Sequence, residues 1–301
     1  MFKRAVANWL NTRGMNLDDR GHRGWARRFY RCSTLIDPGY SSPWYNLGLL
    51  AKYSSQWDDS LRFNRKAVEV NPKNEEAWWN LGIAATAVHN WNEARRAWKA
   101  YGAELEDGDG EVRIPVVRGC VRLNPRGDGE VVWGIRLDPA RTVLLSVPLP
   151  ESGHRFHDIV LNDGAPNGTR VDSNGREIPV FDELSVWEKS KYSTYQAHIQ
   201  IPDSGLIDSL VGLCDRHELG IEDWSTVRFI CKKCSEGSPG PHEHERDPDE
   251  SRKTLAFGAK NYDSLMMVLT EWAAKNDGIE LGHVELLLDA AKNAPNGSAE
   301  N

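Results

Sequence analysis

The chain has 301 residues, 40% of them hydrophobic and 27% charged, and its formal net charge is −7. This length has room for two or three domains, and the absence of any apolar run near ~18–20 residues argues against a membrane-spanning protein. Five scattered cysteines do not form the disulfide framework of a small secreted protein. The start, MFKRAVANWLNTRG, interrupts its apolar residues at Asn8 and Asn11 and is not typical of a secretory signal. We therefore expect a cytoplasmic location.

Charge is unevenly distributed along the chain. Residues 1–104 contain 16 Lys and Arg against 10 Asp and Glu, a net charge of +6, and the remainder carries −13. Five arginines lie in one short basic segment: Arg20, Arg23, Arg27, Arg28 and Arg31. Such a stripe is typical either of a solvated helix face or of a surface that meets nucleic acid or an acidic partner.

A spacing of 34 residues recurs through the first third of the chain. Equivalent residues at this spacing are Gly14, Gly48 and Gly82; Leu10, Trp44 and Trp78; Ala26, Ser60 and Ala94; and Pro38 and Pro72. Within a repeat the apolar residues recur at helical spacing, as in Trp44, Leu47 and Leu50. Each repeat therefore predicts two amphipathic helices joined by a short polar turn.

These residues resemble the tetratricopeptide repeat (TPR) family over about residues 7–104. Two copies are strong, and the weaker first copy, residues 7–38, keeps Leu10, Gly14, Ala26, Tyr30 and Pro38. The resemblance implies an all-α TPR stack of three helix pairs over residues 1–104. Glycine lets paired helices approach closely, and proline ends the second helix. Three units are about the minimum for a stable stack, because one unit cannot bury its apolar face alone.

The resemblance also implies binding, because family members commonly hold a peptide in the concave groove lined by the first helix of each unit. By position, this groove would be lined by Tyr45, Asn46, Leu49, Tyr53, Trp79, Asn80 and Ile83. Asn46 and Asn80 can each bond a peptide backbone with one donor and one acceptor, although they can equally be consensus residues without that role. The Lys/Arg pattern that binds a terminal carboxylate in some relatives is missing, since Thr12, Asn46 and Asn80 stand at the matching step. Chaperone C-termini are therefore not the expected ligands.

The pattern changes after the repeats. Residues 105–111 are acidic and glycine-containing and predict a linker. Residues 112–192 predict a small β-rich domain, a barrel or a sandwich, built of short strands such as GEVVWGIRL and TVLLSVPL. His154 and His157 lie in a turn-rich stretch, PESGHRFHD, where we expect solvated side chains.

Residues 193–291 mix strand and helix patterns and predict an α+β domain. STYQAHIQI, STVRFICK and KTLAFGA are typical of strands, while DSGLIDSLVGLC and YDSLMMVLTEWAAKN are amphipathic helices. The last segment, GHVELLLDA, fits a strand or a short helix. As a strand it completes the order β-α-β-β-α-β of a ferredoxin-like fold. The polar tail, residues 292–301, predicts disorder.

A Cys/His-rich loop, residues 231–252, interrupts this domain. Its candidate metal ligands are Cys231, Cys234, His242 and His244, in the pattern C-x2-C-x7-H-x-H. Thiolates and imidazoles together favour tetrahedral zinc, and four protein ligands would make the site structural. The two histidines are closer together than in zinc fingers, and Glu243, Glu245 or Asp247 can replace either one. A solvated loop and a thiol redox pair stay open as alternatives.

The repeat favours a non-catalytic adaptor or scaffold that binds a protein or peptide in the TPR groove. One alternative is a nucleic-acid- or ribosome-associated protein that uses the Arg-rich first repeat, although the acidic remainder opposes it. The other is a metal-dependent enzyme with an open site at Cys231, Cys234 and one histidine. The sequence has no nucleophile elbow, HExxH motif or phosphate loop to support catalysis.

Overall fold

A computed structural model describes residues 2–127, 129–172, 174–225 and 251–293. The chain divides into two compact units, Met1–Pro115 with Leu137–Ala140 and Val116–Arg136 with Arg141–Asn301. The sequence predicts separate domains at residues 112–192 and 193–291, and in this division both contribute to the second unit.

Six helices occupy residues 2–101, a range that the structure describes throughout. They are α1 (Phe2–Asp18), α2 (Arg23–Ile36), α3 (Ser41–Lys52), α4 (Trp57–Val70), α5 (Glu75–Ala87) and α6 (Trp91–Tyr101). Asn74 and Asn90 cap the last two, because their side chains accept hydrogen bonds from the N–H groups of Ala77 and Glu93. Gly102, in the left-handed conformation at φ 109°, ends α6. The predicted stack of helix pairs is confirmed.

Close contact between paired helices explains the repeated glycines. A Cβ at Gly48 would lie 2.5 Å from the Asn64 side chain, and one at Gly82 would lie 2.6 Å from the Trp98 ring. Neither gap has room for a methyl group. The Ser60 hydroxyl joins the second pair further by donating to the Gly48 carbonyl at 3.0 Å. Glycine and a small residue thus allow each pair to close.

Apolar clusters connect each helix pair to the next. The first cluster contains Ala26, Tyr30, Leu47, Leu50 and Phe63, and the second contains Ala67, Val68, Ala77, Trp78, Leu81 and Ala97. Each cluster takes side chains from two neighbouring repeats. A repeat therefore buries its apolar face only against its neighbour, as in other solenoids.

The predicted linker lies along α6. The guanidinium of Arg95 donates hydrogen bonds to three backbone carbonyls, those of Glu106, Gly108 and Gly110. Val112, just beyond, is 1% exposed. The first unit therefore continues past the repeats as far as Pro115.

Five strands of the second unit close into a barrel. They are β1 (Val117–Leu123), β2 (Glu130–Arg136), β3 (Arg141–Leu144), β4 (Ile159–Val171) and β5 (Glu177–Glu188). Consecutive strands pair antiparallel, and β1 also pairs with β5 in parallel, which closes the ring. The apolar interior consists of Val121, Leu123, Val132, Leu144 and Val160.

The remaining described part of this unit is a four-stranded antiparallel sheet with two helices. Its elements are β6 (Ser193–Gln200), α7 (Leu206–Arg216), β7 (Gly220–Asp223), β8 (Arg252–Ala259), α8 (Tyr262–Lys275) and β9 (Glu280–Leu288). The order across the sheet is β7-β8-β6-β9. Leu210 of α7, Leu269 and Trp272 of α8, and Phe257 of β8 share one core. The segment that fits either a strand or a helix is thus a strand, β9.

Some predicted elements fall beyond what the structure describes. Nearly all of STVRFICK lies within residues 226–250, outside the described ranges, and β7 is instead the preceding segment, Gly220–Asp223. Ala291–Asn293 form a 3-10 turn, and the rest of the predicted tail is also outside. Within the described ranges, no helix combines the length and apolar character needed to cross a membrane.

Candidate functional site

The residues predicted to line a groove lie on the first helix of each repeat. We call three equivalent sets the first-helix face: Asn11, Thr12 and Met15 on α1; Tyr45, Asn46 and Leu49 on α3; and Trp79, Asn80 and Ile83 on α5. Residues four apart share one side of a helix, so Tyr53 continues this face at the end of α3.

Exposure falls along the stack in two of the three rows of the first-helix face, whereas in the third row Asn11 is buried and Tyr45 and Trp79 are half-buried. Met15 is 47% exposed, its equivalent Leu49 is half-buried, and Ile83, the third member of the row, is fully buried. A second row repeats the trend from exposed through half-buried to buried: Thr12, Asn46 and Asn80. The open part of the face therefore lies on α1 and α3.

Hydrogen bonds order this open part. The Asn46 side-chain nitrogen donates to Asn11 Oδ1 at 2.9 Å, which joins α3 to α1. Asn11, itself 3% exposed, donates to the Met15 sulfur at 3.5 Å. Tyr53 is 37% exposed, and its ring centroid lies 4.6 Å from the Lys52 ammonium. Apolar and polar groups therefore alternate along α1 and α3.

On α5 the same face is covered. The Trp79 ring makes edge contacts with Trp98 and Tyr101, at centroid distances of 5.0 and 4.6 Å. Asn80 is 4% exposed and Ile83 is 0% exposed. A ligand that reached Ile83 would have to displace the atoms that cover it. Partner binding by these three residues stays a prediction; Asn80 and Ile83 are buried, and Trp79 is half-buried.

Sequence reasoning missed one segment of the first unit. Leu137–Ala140 connects β2 to β3 along the chain but clusters with the helices. The Leu137 carbonyl accepts a hydrogen bond from the Ile114 N–H at 3.0 Å, and Asp138 and Ala140 are fully buried. The letters LDPA are those of an ordinary turn, so no local signal marks this long-range packing.

The basic segment does not form one uniform stripe. Arg27 donates to Gln56 Oε1 at 2.6 Å, and Arg28 lies 4.7 Å from the Trp25 ring centroid. Arg31 instead lines a groove between α2 and α4. The arginines of this segment therefore have different surroundings.

A buried ion pair in the second unit involves His154. Its Nε2 lies 2.8 Å from Glu183 Oε1, and both side chains are at most 7% exposed. Burial lowers the pKa of His154, but the hydrogen bond and charge of Glu183, together with the Ser152 carbonyl, raise the pKa above its usual value. The expectation that His154 is solvated is wrong, because a carboxylate on β5 pairs with its ring.

Glu130, on β2, is a second shifted group in the same unit. Its carboxylate accepts the Leu149 N–H at 3.1 Å. Burial raises the pKa of Glu130 to about 7 against the opposing hydrogen bond from Leu149. A raised folded-state pKa stabilises the protein below the unfolded pKa, and the contribution is lost as pH rises through about 7. Together with the His154 pair, this contact attaches residues 149–154 to the barrel strands, which is a structural role.

No group of three or more Cys, His, Asp or Glu side chains able to hold a metal occurs within the described ranges. The predicted ligands Cys231, Cys234, His242 and His244 all lie outside them. Burial raises the pKa of Cys120 to about 11 and that of Cys214 to about 12, so neither is a reactive thiol. Zinc binding by the loop stays a prediction.

Comparison with known proteins finds TPR domains. No protein-family model matches the chain, and no curated protein matches it. One similar solved structure is the second TPR of Spaghetti (RPAP3) bound to the HSP90 peptide SRMEEVD. It is 16% identical, covers 33% of this chain and 85% of that chain, and has a TM-score of 0.31. Another is the Sgt2 TPR domain from Aspergillus fumigatus, at 22% identity, 32% of this chain, 63% of that chain and a TM-score of 0.30. Residues 7–104 form a TPR-like stack, as their 34-residue period and three helix pairs establish.

Proposed function

We propose that the chain is a non-catalytic adaptor that binds a partner polypeptide on the open part of the first-helix face. The observation that carries this proposal is the fall in exposure along equivalent residues, from 47% at Met15 to 0% at Ile83. Met15 at 47% and Tyr53 at 37% leave apolar surface in solvent on this face, which a partner can cover. The partner then contacts α1 and α3 and leaves α5 untouched.

The chemistry of this face suits an extended polypeptide. Met15 and Leu49 supply apolar contact, and a methionine side chain adapts to partners of different shape. Asn46 has its nitrogen directed at Asn11, so its amide oxygen is the group that can accept a backbone N–H. This combination favours recognition of an extended backbone with apolar side chains.

Two matched substitutions test the proposal. Met15→Asp places a carboxylate on the first-helix face, and Met267→Asp places the same group on α8 at similar exposure, 52% against 47%. We expect polypeptides that co-purify with the full chain to fall about tenfold with Met15→Asp, as for loss of one hot-spot contact, and to be retained with Met267→Asp. Quantitative mass spectrometry measures both, and equal recovery with the two variants would contradict the proposal.

We also infer that the Cys/His loop holds a structural zinc ion through Cys231, Cys234, His242 and His244. The pattern C-x2-C-x7-H-x-H supports it, because two thiolates and two imidazoles satisfy a tetrahedral zinc ion without water. Metal analysis of the purified chain should give about one zinc per chain, reduced by Cys231→Ser. A ratio far below one that Cys231→Ser leaves unchanged would end the inference.

We further infer that residues 112–192 are a small β-barrel domain and residues 193–291 a ferredoxin-like α+β domain. The ring of pairings from β1 to β5 supports the first, and the antiparallel order β7-β8-β6-β9 with α7 and α8 supports the second. Limited proteolysis of the full chain should then release a stable fragment that begins near residue 193. Cleavage inside β6 before any other site would contradict it.

A further inference from the structure

A groove of about 580 Å³ lies between α2 and α4. Trp44 and Leu47 of α3 form its floor. They lie on the opposite side of α3 from Leu49, because residues three apart share a side of a helix and residues two apart do not. We call this feature the cationic groove, after four residues on its rim: Arg31, Arg62, Arg65 and Lys66.

The floor and one edge of the cationic groove are apolar. The Trp44 and Phe63 rings meet at a centroid distance of 6.2 Å, and Leu47 beside them is 1% exposed. Leu35, on α2 at the edge, is 80% exposed. An apolar side chain placed between Leu35 and Trp44 would remove apolar surface of both from water, which is favourable by about 25 cal/mol per Å².

The rim carries an excess of positive charge. Four lining residues are cationic, against the single carboxylate of Glu69. Arg62 bonds Asp59 at 2.7 Å, and Lys66 bonds Glu69 at 3.1 Å. Arg31 is exposed, and its guanidinium has no ion pair or hydrogen bond with any part of the chain that the structure describes. An incoming carboxylate can therefore pair with Arg31 without displacing another group.

One repeat later, the equivalent cation is paired within the protein. Arg65 corresponds to Arg31, and it bonds Glu93 at 2.8 Å. Asp59 corresponds to Glu93, but it bonds Arg62 on its own helix and leaves Arg31 alone. At equivalent positions of two repeats, Arg65 is thus paired with a carboxylate, and Arg31 is available to a ligand.

The apolar edge also differs between the two positions. Glu69 stands where the cationic groove has Leu35, 34 residues earlier. Arg96 lies over the Trp78 ring at 4.8 Å from its centroid, whereas Trp44, the equivalent of Trp78, lines the open cationic groove. The protein's own side chains therefore occupy the later position and leave the cationic groove for a ligand.

We propose that the cationic groove binds an acidic segment of a partner protein that carries a large apolar side chain. The apolar side chain packs against Leu35, Trp44 and Phe63, and a flanking carboxylate pairs with Arg31. The volume lies in the range of ligand sites, and charge complementarity speeds the encounter and selects acidic partners. This site is separate from the first-helix face, so the stack can hold two segments at once.

Three fluorescein-labelled peptides serve as probes with the full chain. EDELFEDLEE combines acidic and large apolar residues, EDEAAEDAEE replaces the large apolar residues by alanine, and KKKLFKKLKK reverses the charge. Fluorescence anisotropy is measured at about 50 and about 300 mM NaCl, because screening weakens charge pairs at the higher salt. We expect saturable binding of EDELFEDLEE alone, weaker at the higher salt.

Matched variants locate the binding. Arg31→Glu and Leu35→Ala alter the cationic groove, while Arg28→Glu and Ile36→Ala make the same changes on α2 at residues that do not line it. All four side chains are exposed, so the fold is retained, which circular dichroism verifies. We expect affinity for EDELFEDLEE to fall about tenfold with the first two variants, or about 1.4 kcal/mol, and less than about twofold with the controls.

Four results would contradict binding of an acidic segment in the cationic groove. Absence of saturable binding up to about 1 mM peptide, or equal loss in variants and controls, removes the cationic groove as the site. Polyuridylate bound through Arg31 in preference to EDELFEDLEE would make it a polyanion site. A dimer in sedimentation that Arg31→Glu dissociates would make it a contact between copies of this chain.

Discussion

The second and third repeats share one sequence pattern but differ in what covers them. Leu49 and Ile83 occupy equivalent positions, yet the first is half-buried and the second is fully buried. The repeat period fixes the side of a helix on which a residue lies, because that is a local property of the helix. Exposure depends instead on which other atoms pack against that side of the helix. A sequence repeat therefore predicts the side of the helix on which a residue lies more securely than it predicts the exposure of that residue.

Charged residues on the other side of the stack also differ between equivalent positions. Arg31 and Arg65 are equivalent, but only Arg65 meets a carboxylate, that of Glu93, across the junction between repeats. One added methylene distinguishes Glu93 from its equivalent, Asp59, which bonds within its own helix. The longer side chain of Glu93 is thus associated with a paired arginine, and the shorter side chain of Asp59 with an unpaired one.

The largest effect on stability should distinguish Ile83 from Leu49, its equivalent in the second repeat. Ile83→Ala removes buried methyl groups and should lower the free energy of unfolding by about 3 kcal/mol. Leu49→Ala, at a half-buried position, should cost less than about 1 kcal/mol. Urea unfolding of the full chain, followed by circular dichroism, measures both. Equal costs would show that the difference in burial has no energetic meaning.

The next largest effect on stability should come from Gly82, where α5 and α6 are in close contact. Gly82→Ala forces a methyl group to 2.6 Å from the fully buried Trp98 ring and should cost about 2 kcal/mol through overpacking. Gly24→Ala, in α2 with no atom within 4 Å of the new Cβ, should instead stabilise by about 0.5 kcal/mol, since alanine favours a helix. The same unfolding assay distinguishes the signs. A neutral Gly82→Ala would mean that the pair tolerates wider spacing.

A smaller effect on stability should come from the ion pairs of Glu93. Glu93→Gln should cost about 1–2 kcal/mol, because the 12% exposed carboxylate bonds both Arg65 and Arg96. Asp59→Asn removes one exposed pair and should cost at most about 0.5 kcal/mol.

The Glu93 effect should also depend on pH. Burial alone raises the pKa of Glu93, but the hydrogen bonds and charges of Arg96 and Arg65 together lower the pKa below 4.5. A lowered folded-state pKa stabilises above the unfolded value and is lost as pH falls through the folded value. The difference between the natural chain and Glu93→Gln should therefore be full at about pH 7 and shrink below about pH 4.5. A difference that grows in acid would contradict the assigned pairs.

Local patterns predict the local parts of this molecule well. The glycine, tryptophan and proline spacing predicts the helix pairs, since each position reports contact with a nearby helix. The burial of His154 needs Glu183, a residue 29 positions away, which no local pattern reveals. The strand β9 is ambiguous in sequence because a short apolar run fits both elements, and pairing with β6 decides it.

The central claim is that a partner lies along α1 and α3 of the first-helix face. Photo-crosslinking tests it most directly, with p-benzoylphenylalanine at position 15, at position 49 and, as a control, at position 267. We expect adducts with the same partner polypeptide from positions 15 and 49 and none from position 267. Adducts of equal yield from all three positions, or from position 267 alone, would contradict it.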